Sequence, residues 1–393
     1  MRFIESLSNE DILFEQAIYE FCKKNIQPLS HHKTLPEQTL RDLWRSMGEM
    51  GLHGITLTES DGGLGLGYKH HAMAMFAMSQ SSAGIALSYG AHSNLCISQI
   101  ARIANANQKK RWLPKLIRGE HIGALAITEP QAGSDARAIA LTATPINGGY
   151  LLNGGKIWIT NGPLADIIII YAKTKSDQIS TFVIETPCNG LSRSKPVEKM
   201  GMTISPTGEL NFQDCFVHED HLIGEEGEGT YHMMAGLDYE RILLAAGPLG
   251  IHQACYDLAK SYSQQRHQFG KPIASHQMIQ AKLADIYTQL NAGICYLTHA
   301  CQLADQGRLS RELAASVILF TSENATKAAL ETIQILGGNG YSCAYPAERF
   351  LRDAKLYEIG AGTNEIRRIL IGRCLTKPHH QRSTVNKEQL DTV

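Results

Sequence analysis

Ile279, Leu283, Ile286, Leu290, Ile294, Leu297 and Cys301 follow one another at steps of three and four without a break. That spacing lines one face of a single long helix. A helix of this length cannot bury an apolar face by itself. It needs partners of similar length, and an antiparallel bundle is the compact way to supply them. Leu313, Val317 and Phe320 open a second helix of the same kind. The chain from about residue 228 onward therefore reads as a helical bundle.

Two other textures precede it. Up to about residue 120 the chain is helical. Ser8-Asn9-Glu10-Asp11 is a helix start, and Phe14, Ile18 and Phe21 repeat with helical spacing. Asp61-Gly62-Gly63-Leu64-Gly65 interrupts as a turn, and helical character resumes from Ala72 to Ile103. Between about residues 121 and 227 the texture is β. Ile157-Trp158-Ile159, Ile167 to Tyr171 and Thr181 to Ile184 are strand-like, and Glu209 to Gln213 alternates with period two. Asn147-Gly148-Gly149 and Asn153-Gly154-Gly155 read as turns. Strands and helices do not alternate here, which excludes a doubly wound sheet and favours a sandwich or barrel. The expected organisation is an α+β multidomain chain. It has a helical domain at 1–120, a β domain at 121–227, a bundle at 228–376 and a polar, fraying tail at 377–393.

Charge and composition exclude several functions. Lys plus Arg number 37 and Asp plus Glu 38, so no net field favours nucleic acid or a membrane surface as partner. The nine Cys are scattered and lack a Cys-x-x-Cys pair, as expected of core thiols in a reducing compartment. His pairs such as His31-His32, His70-His71 and His379-His380 lack metal-site spacing, so no metal is expected. Met1-Arg2-Phe3-Ile4-Glu5 resembles neither a secretory signal nor a transit peptide, and no apolar run approaches membrane-spanning length. A cytoplasmic chain is expected, or a mitochondrial matrix protein if a transit peptide has been removed.

One carboxylate stands out. In Gly236-Leu237-Asp238-Tyr239-Glu240-Arg241-Ile242-Leu243-Leu244, helical neighbours of Glu240 at three and four residues are Gly236, Leu237, Leu243 and Leu244. None can pair with it, whereas Arg241 has Asp238 one turn back. A desolvated carboxylate has a raised pKa and suits proton abstraction near neutral pH. A solvent-facing Glu on an amphipathic helix is the other reading that this local pattern allows.

Small and polar residues also gather where core-forming stretches should be apolar. They lie in Leu125-Ala126-Ile127-Thr128-Glu129-Pro130-Gln131-Ala132-Gly133-Ser134, Trp158-Ile159-Thr160-Asn161-Gly162, and Arg266-His267-Gln268-Phe269-Gly270 with Gln277. They recur in Gln334-Ile335-Leu336-Gly337-Gly338-Asn339-Gly340-Tyr341 and Gly360-Ala361-Gly362-Thr363-Asn364-Glu365. In this order, across these textures, the chain resembles the acyl-CoA dehydrogenase family of flavoproteins from its first helices to about Leu375. The resemblance implies a four-helix bundle at the C-terminus, FAD as cofactor, acyl-CoA as substrate, an electron-transfer flavoprotein as electron partner and a homotetramer.

It also implies roles. Leu125, Ile127, Thr128, Gly133, Ser134, Trp158, Ile159 and Thr160 meet the flavin, with Ser134 also touching the CoA portion. Trp158 and Thr160, two apart on a strand, share a face. Arg266 and Gln277 bind the pyrophosphate and adenosine from a neighbouring subunit, a guanidinium fork suiting phosphate. Gln334, Gly337, Gly338, Thr363, Asn364 and Glu365 complete the FAD contacts. Tyr231, Asp238 and Arg241 lie near the CoA arm.

The chain departs from the commonest family pattern in one respect. Straight-chain members carry their catalytic Glu in a Tyr-Glu-Gly-Thr segment near the C-terminus. Here that position is Ala361, and Glu358 is three residues out of register. A minority of the family, including the isovaleryl type, places the base in a bundle helix instead. Gly236 to Arg241, Leu87-Ser88-Tyr89-Gly90-Ala91-His92 and Phe350 to Thr363 resemble that type. Glu240 is then the base. Gly360, Ala361 and Gly362 leave room for a branched acyl chain, and Leu87, Ala91 and Leu244 wall it. His92 is expected to be a structural histidine. In the family, the thioester oxygen is held by a flavin hydroxyl and the backbone N–H of the catalytic Glu. The implied reaction is α,β-dehydrogenation of isovaleryl-CoA to 3-methylcrotonyl-CoA in leucine breakdown. Straight short-chain, 2-methyl-branched or terpenoid acyl-CoA substrates remain open, as does a non-catalytic acyl-CoA-binding scaffold.

Overall fold

Ser8 and Asp11 start the first helix by exchanging side-chain-to-backbone hydrogen bonds at 3.1 Å, a capping box that satisfies two otherwise orphaned N–H groups. The computed structural model describes residues 8–376. The segment Met1 to Glu5, the polar tail 377–393 and His379-His380 lie outside the described residues.

The N-terminal helices are α1 (Asn9–Phe21), α2 (Glu37–Glu49), α3 (Tyr68–Ser81), α4 (Ala83–Gly90), α5 (Ser98–Ile103) and α6 (Ala106–Ile117). Helix α3 is buried on every side from His71 to Ser79, because α1, α7 and α8 all pack on it. The helical stretch expected from Ala72 to Ile103 is broken at Ser82, which caps α4, and widens into a π-helix at Ala91–Ile97. The π-helix carries His92. Gly123 N–H donates to His92 Nδ1 at 2.8 Å, so the ring's other nitrogen donates to the Leu116 carbonyl at 3.1 Å.

The middle of the chain forms β1 (Gly123–Ala126), β2 (Thr142–Ile146), β3 (Gly149–Thr160), β4 (Ile167–Lys173), β5 (Ile179–Glu185), β6 (Leu191–Arg193), β7 (Thr207–His218) and β8 (Leu222–Ile223). They make one sheet in the order β6-β7-β3-β2-β4-β5-β8, with β1 parallel to β4. Strand β4 is apolar from Ile167 to Ala172 because both its faces are covered there. Ile167, Ile169 and Tyr171 pack against Trp112 and Leu116, while Ile168 and Ile170 join Phe182, Leu210 and Phe212. Side chains from β3, β4, β5 and β7 meet in that second cluster, so the sheet curls over its own inner face.

One expected turn is absent. Asn153-Gly154-Gly155 lies inside β3, where the register with β7 shifts between Leu152 and Gly154. Gly154 sits at φ 136°, with Leu141 so close that an added Cβ would stand 3.0 Å from its Cα. Glycines that look like a turn here mark a bulge under a close backbone crossing.

The C-terminal part comprises α7 (Gly229–Gln265), a small hairpin of β9 (His267–Gln268) and β10 (Lys271–Pro272), α8 (Gln277–Asp305), α9 (Arg311–Leu336), α10 (Gly338–Tyr341), α11 (Ala347–Tyr357) and α12 (Asn364–Thr376). Helices α7, α8 and α9 pack on one another, and α11 and α12 lie against α9. The apolar stripe of α8 is buried at Ile286, Leu290, Ile294, Leu297 and Cys301. Met75 and Phe76 of α3 share a core with Leu243, Leu290 and Ala354, so the two helical regions enclose one apolar interior. No helix among the described residues is long and apolar enough to cross a membrane, and none of their His, Cys, Asp and Glu side chains cluster as metal ligands.

Candidate active site

Glu240 lies in the first half of α7 and is only 8 % exposed. No described residue donates a hydrogen bond to its carboxylate. Burial raises its pKa from 4.5 to about 7, with the guanidinium groups of Arg241 and Arg367 holding it from rising further. Arg241 is committed elsewhere: its Nη1 donates to Asp238 at 2.8 Å, and Asp238 also accepts from Arg311 at 3.4 Å. The Arg241 Nε is buried without a partner.

Opposite Arg241 runs the turn between α11 and α12. Ala361 and Gly362 both take left-handed backbone conformations, at φ 57° and 87°. A Cβ on Gly362 would lie 4.0 Å from Arg241 Nη2, so this turn rests on the arginine. The turn is clamped from below by Arg367, a fully buried residue. Arg367 Nη1 donates to the Tyr357 carbonyl at 2.7 Å and to Asn364 Oδ1 at 2.6 Å, and Nη2 to the Gly360 carbonyl at 2.6 Å. Glu358 is turned to Thr326 (2.5 Å) and Lys355 (2.8 Å) and is occupied there. Leu87, Leu244 and Ala361 all pack into the main apolar cluster, whereas Ala91 is buried in the π-helix outside it. Tyr231 and Asp238 are half-buried on the preceding turns of α7.

The loop from Ile127 to Ser134 leaves β1 and is tied to β3. Ile157 N–H donates to the Thr128 carbonyl at 2.9 Å, and Lys156 Nζ donates to the Ile127 carbonyl at 2.9 Å. Lys156 also pairs with Glu129 at 2.7 Å, both side chains being buried. Immediately afterwards β3 bulges against β7 between Lys156 and Ile159. Trp158 sits at φ 60° and is 60 % exposed, while Ile159 is buried. Trp158 and Thr160 stay on the side away from Ile159, but the bulge separates them from Lys156, which simple alternation would have grouped with them. Leu125 and Ile127 pack beneath this loop.

A flavin dinucleotide needs an aromatic or apolar surface for its rings and open backbone for its phosphates, and the chain presents both. A Cβ at Gly133, Gly337 or Gly338 would meet nothing within 4 Å. Trp158 and, on the β9–β10 turn, Phe269 at 92 % exposure are large rings left outside the core. Ser134, Arg266, Gln277, Gln334 and Glu365 are exposed and Thr363 is half-buried. These residues fit the group. Asn364 differs from the rest: its carboxamide is directed inward to Arg367, Ser322 and Glu323.

Two features escaped the sequence. Lys156 is a cation on a buried strand position, where a charge needs an anion beside it, and Glu129 supplies it. Arg367 sits beside Arg368 and three residues after Asn364; two adjacent arginines on a helix cannot both face the same way.

A curled β domain between two helical regions is the three-part architecture of flavin-dependent acyl-CoA dehydrogenases. Family models for the N-terminal, middle and C-terminal domains of acyl-CoA dehydrogenase match residues 8–120, 124–215 and 227–376. The chain belongs to the acyl-CoA dehydrogenase family. It is 50 % identical over 370 residues to a mitochondrial isovaleryl-CoA dehydrogenase of Arabidopsis thaliana, covering 93 % of this chain and 90 % of that one. It is 47 % identical over 372 residues to a mitochondrial 2-methylacyl-CoA dehydrogenase of Solanum tuberosum, with the same coverage. The butyryl-CoA dehydrogenase structure from Megasphaera elsdenii superimposes with a TM-score of 0.91 at 34 % identity, covering 95 % of this chain and all of that one. The protein is an FAD-dependent oxidoreductase with acyl-CoA dehydrogenase function.

Proposed function

We propose that the enzyme dehydrogenates a short branched acyl-CoA, isovaleryl-CoA to 3-methylcrotonyl-CoA, with Glu240 as the base. The observation that carries this reading is the buried Glu240 carboxylate, which accepts no hydrogen bond from a described residue, beside the Arg241 on which the turn with Ala361 at the family base position rests. Glu240 accepts the α-proton as the Cα–H bond breaks. FAD, held by Thr128, Gly133, Ser134, Trp158, Thr160 and the Gly337-Gly338 segment with Arg266 and Gln277 of a neighbouring subunit, supplies the acceptor for the β-hydride. The Asp238–Arg241 pair and Tyr231 position the CoA arm, and Leu87, Leu244 and the Gly360-Ala361 backbone accommodate the branch.

One expected role moves. Glu240 lies within uninterrupted helix, where its own N–H is taken by the carbonyl four residues back, so it cannot hold the thioester oxygen. The N–H groups of Ala361 and Gly362 have no acceptor among the described residues, and we assign the developing enolate charge to the Ala361 amide. On the same reading residues 1–120, 121–227 and 228–376 are the functional units. The enzyme acts as a homotetramer in leucine breakdown and passes electrons to an electron-transfer flavoprotein.

The 2-methylacyl relative keeps a second substrate in view. A dye-coupled assay across isovaleryl-, 2-methylbutyryl-, butyryl- and a terpenoid acyl-CoA decides between them, isovaleryl-CoA being expected to have the highest kcat/KM. Glu240→Gln should bind flavin normally and lose flavin bleaching by isovaleryl-CoA; undiminished bleaching would sink the assignment.

A further inference from the structure

Among the described residues no carboxylate pairs with Arg367. Its forked donors go to neutral acceptors: the Tyr357 and Gly360 carbonyls, Asn364 Oδ1 and, at 3.4 Å, Ser322 Oγ. Its Nε is buried and makes no hydrogen bond. A fully buried guanidinium bound only to neutral groups leaves a whole positive charge inside the protein. The two carbonyls are among the last of α11 and of the turn after it, where a cation also opposes the helix dipole.

The charged groups around Glu240 fall into two sets. Arg241 on its own helix is tied to Asp238, and Asp238 to Arg311 from α9, so two guanidiniums share one carboxylate and Arg241 still acts on Glu240. From β4, Tyr171 feels the Glu240 charge, and its phenol is kept protonated by burial. From α12, Arg367 is the second cation that acts on Glu240, and the one with no carboxylate bound to it among the described residues. Of the carboxylates that act on it, Glu358 already accepts from Lys355 and Thr326, and Glu365 is exposed. Glu240 is the buried anion left to balance it.

We propose that Arg367 is a positioning residue of the reaction with two separable actions. Its fork holds the Tyr357–Gly362 turn, and so the Ala361 amide, in place, and its uncompensated charge adds to that of Arg241 in keeping Glu240 ionised and able to accept a proton. This rests on Glu240 being the base. It explains why the turn can hold a non-glycine residue at φ 57°: two of its carbonyls are pinned by one guanidinium.

The test uses flavin-loaded enzyme, with flavin content and visible spectrum matched to wild type. Arg367→Gln removes the charge. The acid limb of kcat/KM should move to higher pH by about one unit or more, since a full charge is lost in a poorly solvated site. Ser322→Asp, which sets a carboxylate against Arg367 while leaving it in place, should move the limb the same way and serves if Arg367→Gln does not fold. Arg367→Lys keeps the charge but cannot hold both carbonyls. Its limb should stay near wild type while kcat at the plateau falls several-fold. An unmoved limb in Arg367→Gln, or in Ser322→Asp, overturns the electrostatic action. A wild-type plateau in Arg367→Lys overturns the clamp. If Glu240→Gln retains turnover, the underlying assignment of the base has failed instead.

Discussion

Glu129 and Glu240 are the same side chain at comparable depth, 2 % and 8 % exposed, in two different regions. In the β domain Glu129 accepts from Lys156 Nζ (2.7 Å), the Ala140 and Leu141 amides (2.6 and 3.0 Å) and Gln131 (2.6 Å). These donors overcome burial and lower its pKa. In the helical interior Glu240 has no donor among the described residues, and burial raises its pKa to about 7. Depth alone therefore does not decide what a carboxylate does. Filled lone pairs make Glu129 a fixed strut for the loop at Thr128–Ser134. Empty ones make Glu240 available to a proton.

The contrast can be broken at either end. The largest effect is expected from Glu240→Gln, with turnover falling about 10⁴-fold, the upper end of what a general base contributes. In the wild type, rate should fall about tenfold per pH unit below about 7 as Glu240 is protonated. Next, Lys156→Met strands the Glu129 carboxylate in the interior and should cost about 3–5 kcal/mol, read by denaturant unfolding. The same cost for Glu129→Gln with Lys156 intact would show that either half of the pair is indispensable; no cost for either would remove the strut from the comparison.

The two carboxylates should also respond oppositely to pH. Glu240 has a folded pKa above its unfolded value of 4.5, so its contribution is favourable below about 4.5 and lost as pH rises through about 7. Glu240→Gln should consequently be more stable than wild type at pH 8, by at most about 3 kcal/mol, and the gap should close by pH 4.5. Glu129, with a lowered pKa, contributes above its unfolded pKa and loses that contribution as pH falls through its folded value. The smallest effect is Ala361→Gly. It relieves a left-handed alanine and should change the melting free energy by about 1 kcal/mol or less, with the looser turn lowering kcat rather than flavin binding.

Much of this was legible before any coordinates. The α8 stripe, the Ser8 cap and the isolation of Glu240 among Gly236, Leu243 and Leu244 are local patterns, set by spacings of three and four residues. The vacancy at Ala361 was legible by resemblance to the family. Asn153-Gly154-Gly155 was misread because a glycine pair signals a bulge as readily as a turn until the crossing strand is known. The orientation of Trp158 was only half visible, since alternation along β3 ends at a bulge that the partner strand β7 creates. Lys156 and Glu129 are 27 residues apart, and nothing local joins them.

The sequence by itself determined the order of textures, the long helices and the identity of the carboxylate with no neighbour on its own helix. Only the tertiary structure decided that Glu240 is desolvated, that the charge of Arg367 acts on it from α12, and that the turn at Ala361 is held by Arg367. Helix faces follow from the chain's own periodicity. Proton affinity follows from what surrounds a group in space, and those surroundings come from segments more than a hundred residues apart in the chain.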